Sequence, residues 1–148
     1  MLATLLLGVL LQTTAPASRP TAAPPMAFDK YYFVLLTAAE TPPEGLTRER
    51  AVQLQREHLG HLSKMYVEGY ALVAGPFDDR FDERWRGMVL YRGDLSKEKV
   101  IELASADPAV EAGLLRVEVM TWYTGKGAVM FPPPPSADEA TPSTRPAD

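Results

Sequence analysis

Two histidines stand three residues apart, His58 and His61, and the segment that carries them has helical periodicity. Around a wheel of about 100° per residue, His58 falls about 30–40° from the centre of an apolar face made by Ala51, Leu54, Leu59, Leu62, Met65 and Tyr66, while His61 sits at its flank. An imidazole among aliphatic side chains needs a polar partner or stays neutral at some cost. With a carboxylate beside it, it becomes a general acid or base near neutral pH; with a backbone carbonyl beside it, it is a satisfied core residue. The same His-x-x-His spacing on a helix suits a metal pair, but neither an HExxH motif nor an evident third ligand accompanies it, and no metal is expected.

Among the carboxylates, Asp107 precedes Pro108 and reads as a helix N-cap with proline at the first helical position. Its place after a second helix also brings it towards the first. Asp78 and Asp79 follow Gly75-Pro76-Phe77 in a charged loop, and Arg86 alternates with apolar residues of a strand, which can set it beside Met120 and Trp122 as a cation–π neighbour. No phosphate-binding loop, dinucleotide fingerprint, GxSxG or zinc-finger spacing occurs. The chain contains no Cys, which excludes disulfide scaffolds, thiol nucleophiles, thiolate zinc, iron–sulfur clusters and a lipid-modified Cys. A formal charge of −4 over 148 residues leaves no electrostatic footprint for nucleic acid.

The elements that must position these residues are legible in turn. Asp29–Thr37 is apolar on both alternations, the pattern of a strand buried on both faces. Thr47 caps a helix over Arg48–Glu68, which Gly69 stops. Tyr70–Gly75 and Trp85–Tyr91 read as strands of a long hairpin. Ser96 caps a second helix reaching about Ala106, Pro108–Ala112 adds a short turn ended by Gly113, and Leu115–Thr124 is the last strand. The order βαββαβ is α+β and ferredoxin-like: a four-stranded antiparallel sheet with both helices on one face. The other face is left apolar and uncovered, which in a soluble chain marks a partner surface. A homodimer is expected to bury it around Tyr31 or Tyr32, Phe33 or Val34, Met88 or Val89, and Met120 with Trp122.

The ends differ in composition. Only Pro42, Pro43, Pro76 and Pro108 of the 14 prolines fall between Phe28 and Phe131. Leu2–Leu11 is an apolar run too short to span a membrane, which takes roughly 20 residues, and Ala15-Pro16-Ala17 resembles a signal-peptide cleavage site. The expected division is a signal peptide over 1–17, a linker over 18–27, one domain over 28–131 and a Pro-rich disordered tail over 132–148. Secretion or a periplasmic location follows; a start at Met26 would instead make the protein cytoplasmic.

Several runs together resemble the YCII-related (YciI-like) family: Tyr32–Leu36, His58-Leu59-x-His61-Leu62, Glu68–Asp79, Arg86-Gly87, Ala106–Val110 with Ala112-Gly113, and Trp122-Tyr123. The likeness covers about residues 28–125, and Gln55 stands where some members have Arg. It implies a dimeric α/β barrel and an acid/base pair at the positions of His58 and Asp107, with Asp78, Arg86 and Trp122 as substrate contacts; His61 joins them as a flanking candidate. The implied function is lyase or isomerase chemistry on a small, aromatic-type substrate without a cofactor. The alternatives are a non-catalytic dimeric module that binds a small ligand, and a cofactor-free monooxygenase of the related barrels. The pair is expected at the rim of a pocket between helices and sheet.

Overall fold

The structure, a computed structural model, describes residues 26–79 and 81–133. The expected signal peptide, the linker up to residue 25 and the tail beyond residue 133 lie outside the described residues. The sheet has four strands: β1 (Phe28–Ala38), β2 (Ala71–Pro76), β3 (Trp85–Arg92) and β4 (Leu115–Gly125). Their order is β2-β3-β1-β4 with every neighbour antiparallel. The helices are α1 (Arg48–Val67), α2 (Lys97–Ser105) and the single turn α3 (Pro108–Glu111). This is the ferredoxin-like arrangement expected from the order of elements.

β1 is apolar on both alternations and central, paired with β3 on one side and β4 on the other. Its register separates the two faces. Val34 lies between Val89 and Val119, and Tyr32 between Tyr91 and Thr121. This row packs with Leu36, Met65 of α1 and Val100 and Ala104 of α2 into one buried core, so both long helices cover the same face. The opposite row sets Phe33 between Leu90 and Met120, Leu35 beside Met88, and Tyr31 beside Trp122. The expected open face therefore consists of Tyr31, Phe33, Met88, Met120 and Trp122.

Local signals place the helices. Thr47 Oγ1 accepts from Arg50 N at 3.2 Å, and Ser96 Oγ from Lys99 N at 3.1 Å. α1 ends in a Schellman turn: Tyr70 N donates to Met65 O, Gly69 N donates to Tyr66 O, and Gly69 holds φ +74°. Gly113, at φ +75°, ends α3 in the same way, with Leu114 N donating to Ala109 O.

After β4 the chain reverses. Ala128 N donates to Gly125 O at 2.9 Å, Gly127 takes φ +72°, and its N–H donates to Asp29 Oδ2 at 2.6 Å. Residues 129–132 then return across the open face. Phe131 meets Tyr31 edge-on with ring centroids 5.6 Å apart. Pro132 reaches the corner where α1 hands over to β2, lining a 260 Å³ cavity with Tyr66 and Arg92. Part of the face expected to be bare is thus crossed by the chain's own C-terminal strap.

Candidate acid/base site

His58 lies in the buried stripe of α1, between Leu54 and Met65. Asp107 is the N-cap of α3, held by Pro108 at the first helical position. Packing of α1 against α3 brings the two together: His58 Nδ1 is 2.6 Å from Asp107 Oδ2. The other carboxylate oxygen, Oδ1, accepts from Ala109 N at 2.8 Å. Asp107 is 2% exposed and His58 8%. One carboxylate therefore caps a helical turn and holds an imidazole, and neither oxygen is left to rotate.

This geometry sets the tautomer. A carboxylate only accepts, so the proton between the pair sits on Nδ1 and the neutral ring keeps its lone pair on Nε2. No hydrogen bond to Nε2 is present among the described residues, and no sealed side-chain nitrogen or oxygen there lacks a partner. Nε2, unbonded, accordingly keeps some contact with solvent. An imidazole oriented through Nδ1 and open at Nε2 can take up or deliver a proton.

Tyr91, on the helix-covered face of β3, was not marked by the sequence. It is 1% exposed, and burial together with the Asp107 charge pushes its phenol up to about 12. The phenol remains protonated at neutral pH, and the Asp107 charge is felt within the core. Nothing in the strand pattern separates Tyr91 from an ordinary inward-facing aromatic.

The other candidates are dispersed. His61 Nε2 donates to Leu103 O at 3.1 Å, tying α1 to α2; this is a packing role. Asp78 is exposed in the loop after β2. Arg86 is exposed at the irregularity where the β1–β3 register passes from Gly87 to Trp85, and its Nη1 donates to the carbonyls of Glu83 and Trp85. Trp122 is on the open face of the sheet, paired with Tyr31 and with its ring 5.7 Å from that of Tyr31. Trp122 thus lies across the sheet from His58 and Asp107. Two cavities of the domain, one beside Tyr66 and Arg92 and one beside Phe33 and Trp122, are lined by neither His58 nor Asp107. Among the described residues no group of three or more His, Asp or Glu could hold a metal ion, and no helix is long and apolar enough to cross a membrane.

No family model matches the chain, and no curated protein does. Among solved structures it is similar to 5-chloro-2-hydroxyhydroquinone dehydrochlorinase (TftG) from Burkholderia phenoliruptrix AC1100, in complex with 2,5-dihydroxybenzoquinone. The identity is 22%, the match covers 64% of this chain and 96% of that chain, and the TM-score is 0.43. A likeness at this level concerns the fold and assigns no chemistry to the pair.

Proposed function

We propose that the protein is a small-molecule enzyme of the YCII-related type, in which His58 moves a proton and Asp107 orients it. The observation that carries this reading is the buried 2.6 Å contact whose carboxylate is fixed at its second oxygen by Ala109 N–H. The reaction class is lyase or isomerase: Nε2 removes a proton from carbon or oxygen of a small, ring-bearing substrate, and the imidazolium formed is stabilised by Asp107. Such a transfer draws on side chains alone.

The test is proton exchange in deuterated water. The full chain is incubated with a panel of small hydroxylated aromatics and enolisable carbonyl compounds, and C–H loss is followed by NMR. The wild type accelerates exchange on at least one compound. His58→Gln lowers that rate about 100-fold or more, the lower end of what a positioned general base contributes. Equal rates for the two proteins contradict the proposal.

A second reading, a dimeric ligand-binding module with a structural His58, is favoured by one observation: the pair is almost wholly buried, His58 8% and Asp107 2% exposed. In both readings a second copy packs on the part of the open face that the strap leaves free, around Met120, which is 45% exposed. Sedimentation velocity at micromolar concentration gives a dimer for the wild type and a monomer for Met120→Lys, because a buried unpaired ammonium disfavours the interface. A wild-type monomer excludes the second copy.

A further inference from the structure

Between the strap and the open face lies a second cavity of about 510 Å³. Its lining is Phe33, Met88, Leu90, Trp122, Val129 and Phe131. The first four come from the sheet and the last two from the strap. Its size falls within the roughly 300–1,000 Å³ range of small-molecule sites.

We propose that this cavity binds a neutral one- or two-ring aromatic molecule, seated on β1 and β3 and roofed by residues 129–131. Three observations select that occupant. No charged side chain lines the cavity, so a charged ligand would lose its hydration without a counter-charge. Three of the six lining residues are aromatic, and they offer ring faces and edges to a planar partner, while Met88 supplies a polarizable thioether. The roof is the chain's own strap, anchored at one end by Gly127 N–H to Asp29 and held at the other by Phe131 against Tyr31. The strap covers part of the groove and leaves the rest open to solvent. The site is on the far side of the sheet from His58 and Asp107, so it stands apart from the acid/base proposal, and either can fail without the other.

The probe is 6-propionyl-2-(dimethylamino)naphthalene, which is neutral, has a single fused pair of rings and shifts its emission to the blue in apolar surroundings. It is titrated into the full chain carrying Trp85→Phe, so that emission comes from Trp122 alone among the 2 tryptophans. The expected result is saturable binding of one probe per chain with energy transfer from Trp122. Phe131→Ala, which removes the roof's ring, weakens binding about tenfold, in line with a lost aromatic contact and its area. Val129→Asp, which sets a charge in the carbon-lined wall, weakens it at least as much. Circular dichroism of both variants confirms that the domain stays folded. Absence of saturable binding overturns the proposal, as does unchanged binding to both variants. Loss of binding as protein concentration rises through dimer formation also overturns it and assigns the cavity to a second copy.

Discussion

Asp107→Ala lowers the melting midpoint by more than 10 °C, a result to be read by calorimetry. Three losses combine at one residue. The N-cap bond to Ala109 disappears, typically about 1 kcal/mol. His58 Nδ1 is left as a buried donor without a partner, about 1–3 kcal/mol. The carboxylate's own space, in a site 2% exposed, becomes a small void. Together these come to about 3 kcal/mol, and a domain of this size loses about 4–8 °C per kcal/mol. Asp107→Asn is milder, because one carbonyl oxygen remains to serve either Ala109 or His58 but not both. A double-mutant cycle with His58→Gln separates the cap from the pair: the coupling between the two sites is about 1–3 kcal/mol if they interact as the geometry indicates. A midpoint within 2 °C of wild type for Asp107→Ala would mean the pair is not formed in solution.

Two glycines respond to alanine with opposite signs. At Gly93, just past β3, a Cβ would collide with the main-chain carbonyl of Lys30 on β1. Neither partner is a flexible side-chain tip, so relief requires β1 and β3 to part at the end where Tyr31 opposes Arg92. Gly93→Ala is expected to destabilise by about 3 kcal/mol, the upper end for overpacking. At Gly60, in the middle of α1, nothing lies within 4 Å of such a Cβ. Gly60→Ala therefore stabilises by about 0.5–1 kcal/mol through helix propensity. Urea titration of the two variants reads both signs. Equal effects would show that the close approach of Gly93 to β1 is absent in solution.

The fold was legible because its signals are local. Thr47, Ser96 and Asp107 cap helices, Gly69 and Gly113 end them in left-handed geometry, and every strand was placed within a residue or two of its observed bounds. The two-faced apolar pattern of Asp29–Thr37 announced a central strand, but for that reason could not say which alternation met the helices; Val34 between Val89 and Val119 settles it. The approach of His58 to Asp107 was legible as well, since an inward histidine needs a partner and the topology sets α1 beside the turn that begins at Asp107.

What escaped the sequence is non-local. Trp122 was grouped with His58 as a site residue, yet its pairing with Tyr31 puts it on the opposite face of the sheet. His61 looked like a flanking ligand and instead bonds Leu103 O, a main-chain group that no side-chain pattern reveals. The strap was read as the end of the domain, although Gly125-x-Gly127 followed by Val129 and Phe131 carries a turn and a short alternation. Its seat on the sheet depends on Tyr31 and Trp122, about a hundred residues and about ten residues away in the chain respectively.

The central claim is that Asp107 fixes His58 with its proton on Nδ1 and leaves Nε2 open to exchange a proton with substrate. Long-range ¹H–¹⁵N correlation spectra of protein labelled with ¹⁵N-histidine, recorded where the rings are neutral, test it most directly, since the chain has 2 histidines. The geometry predicts opposite tautomers: Nδ1–H for His58, from its bond to Asp107, and Nε2–H for His61, from its bond to Leu103 O. A His61→Gln variant assigns the signals. Finding His58 as the Nε2–H tautomer, or averaging rapidly between the two forms, would contradict the account.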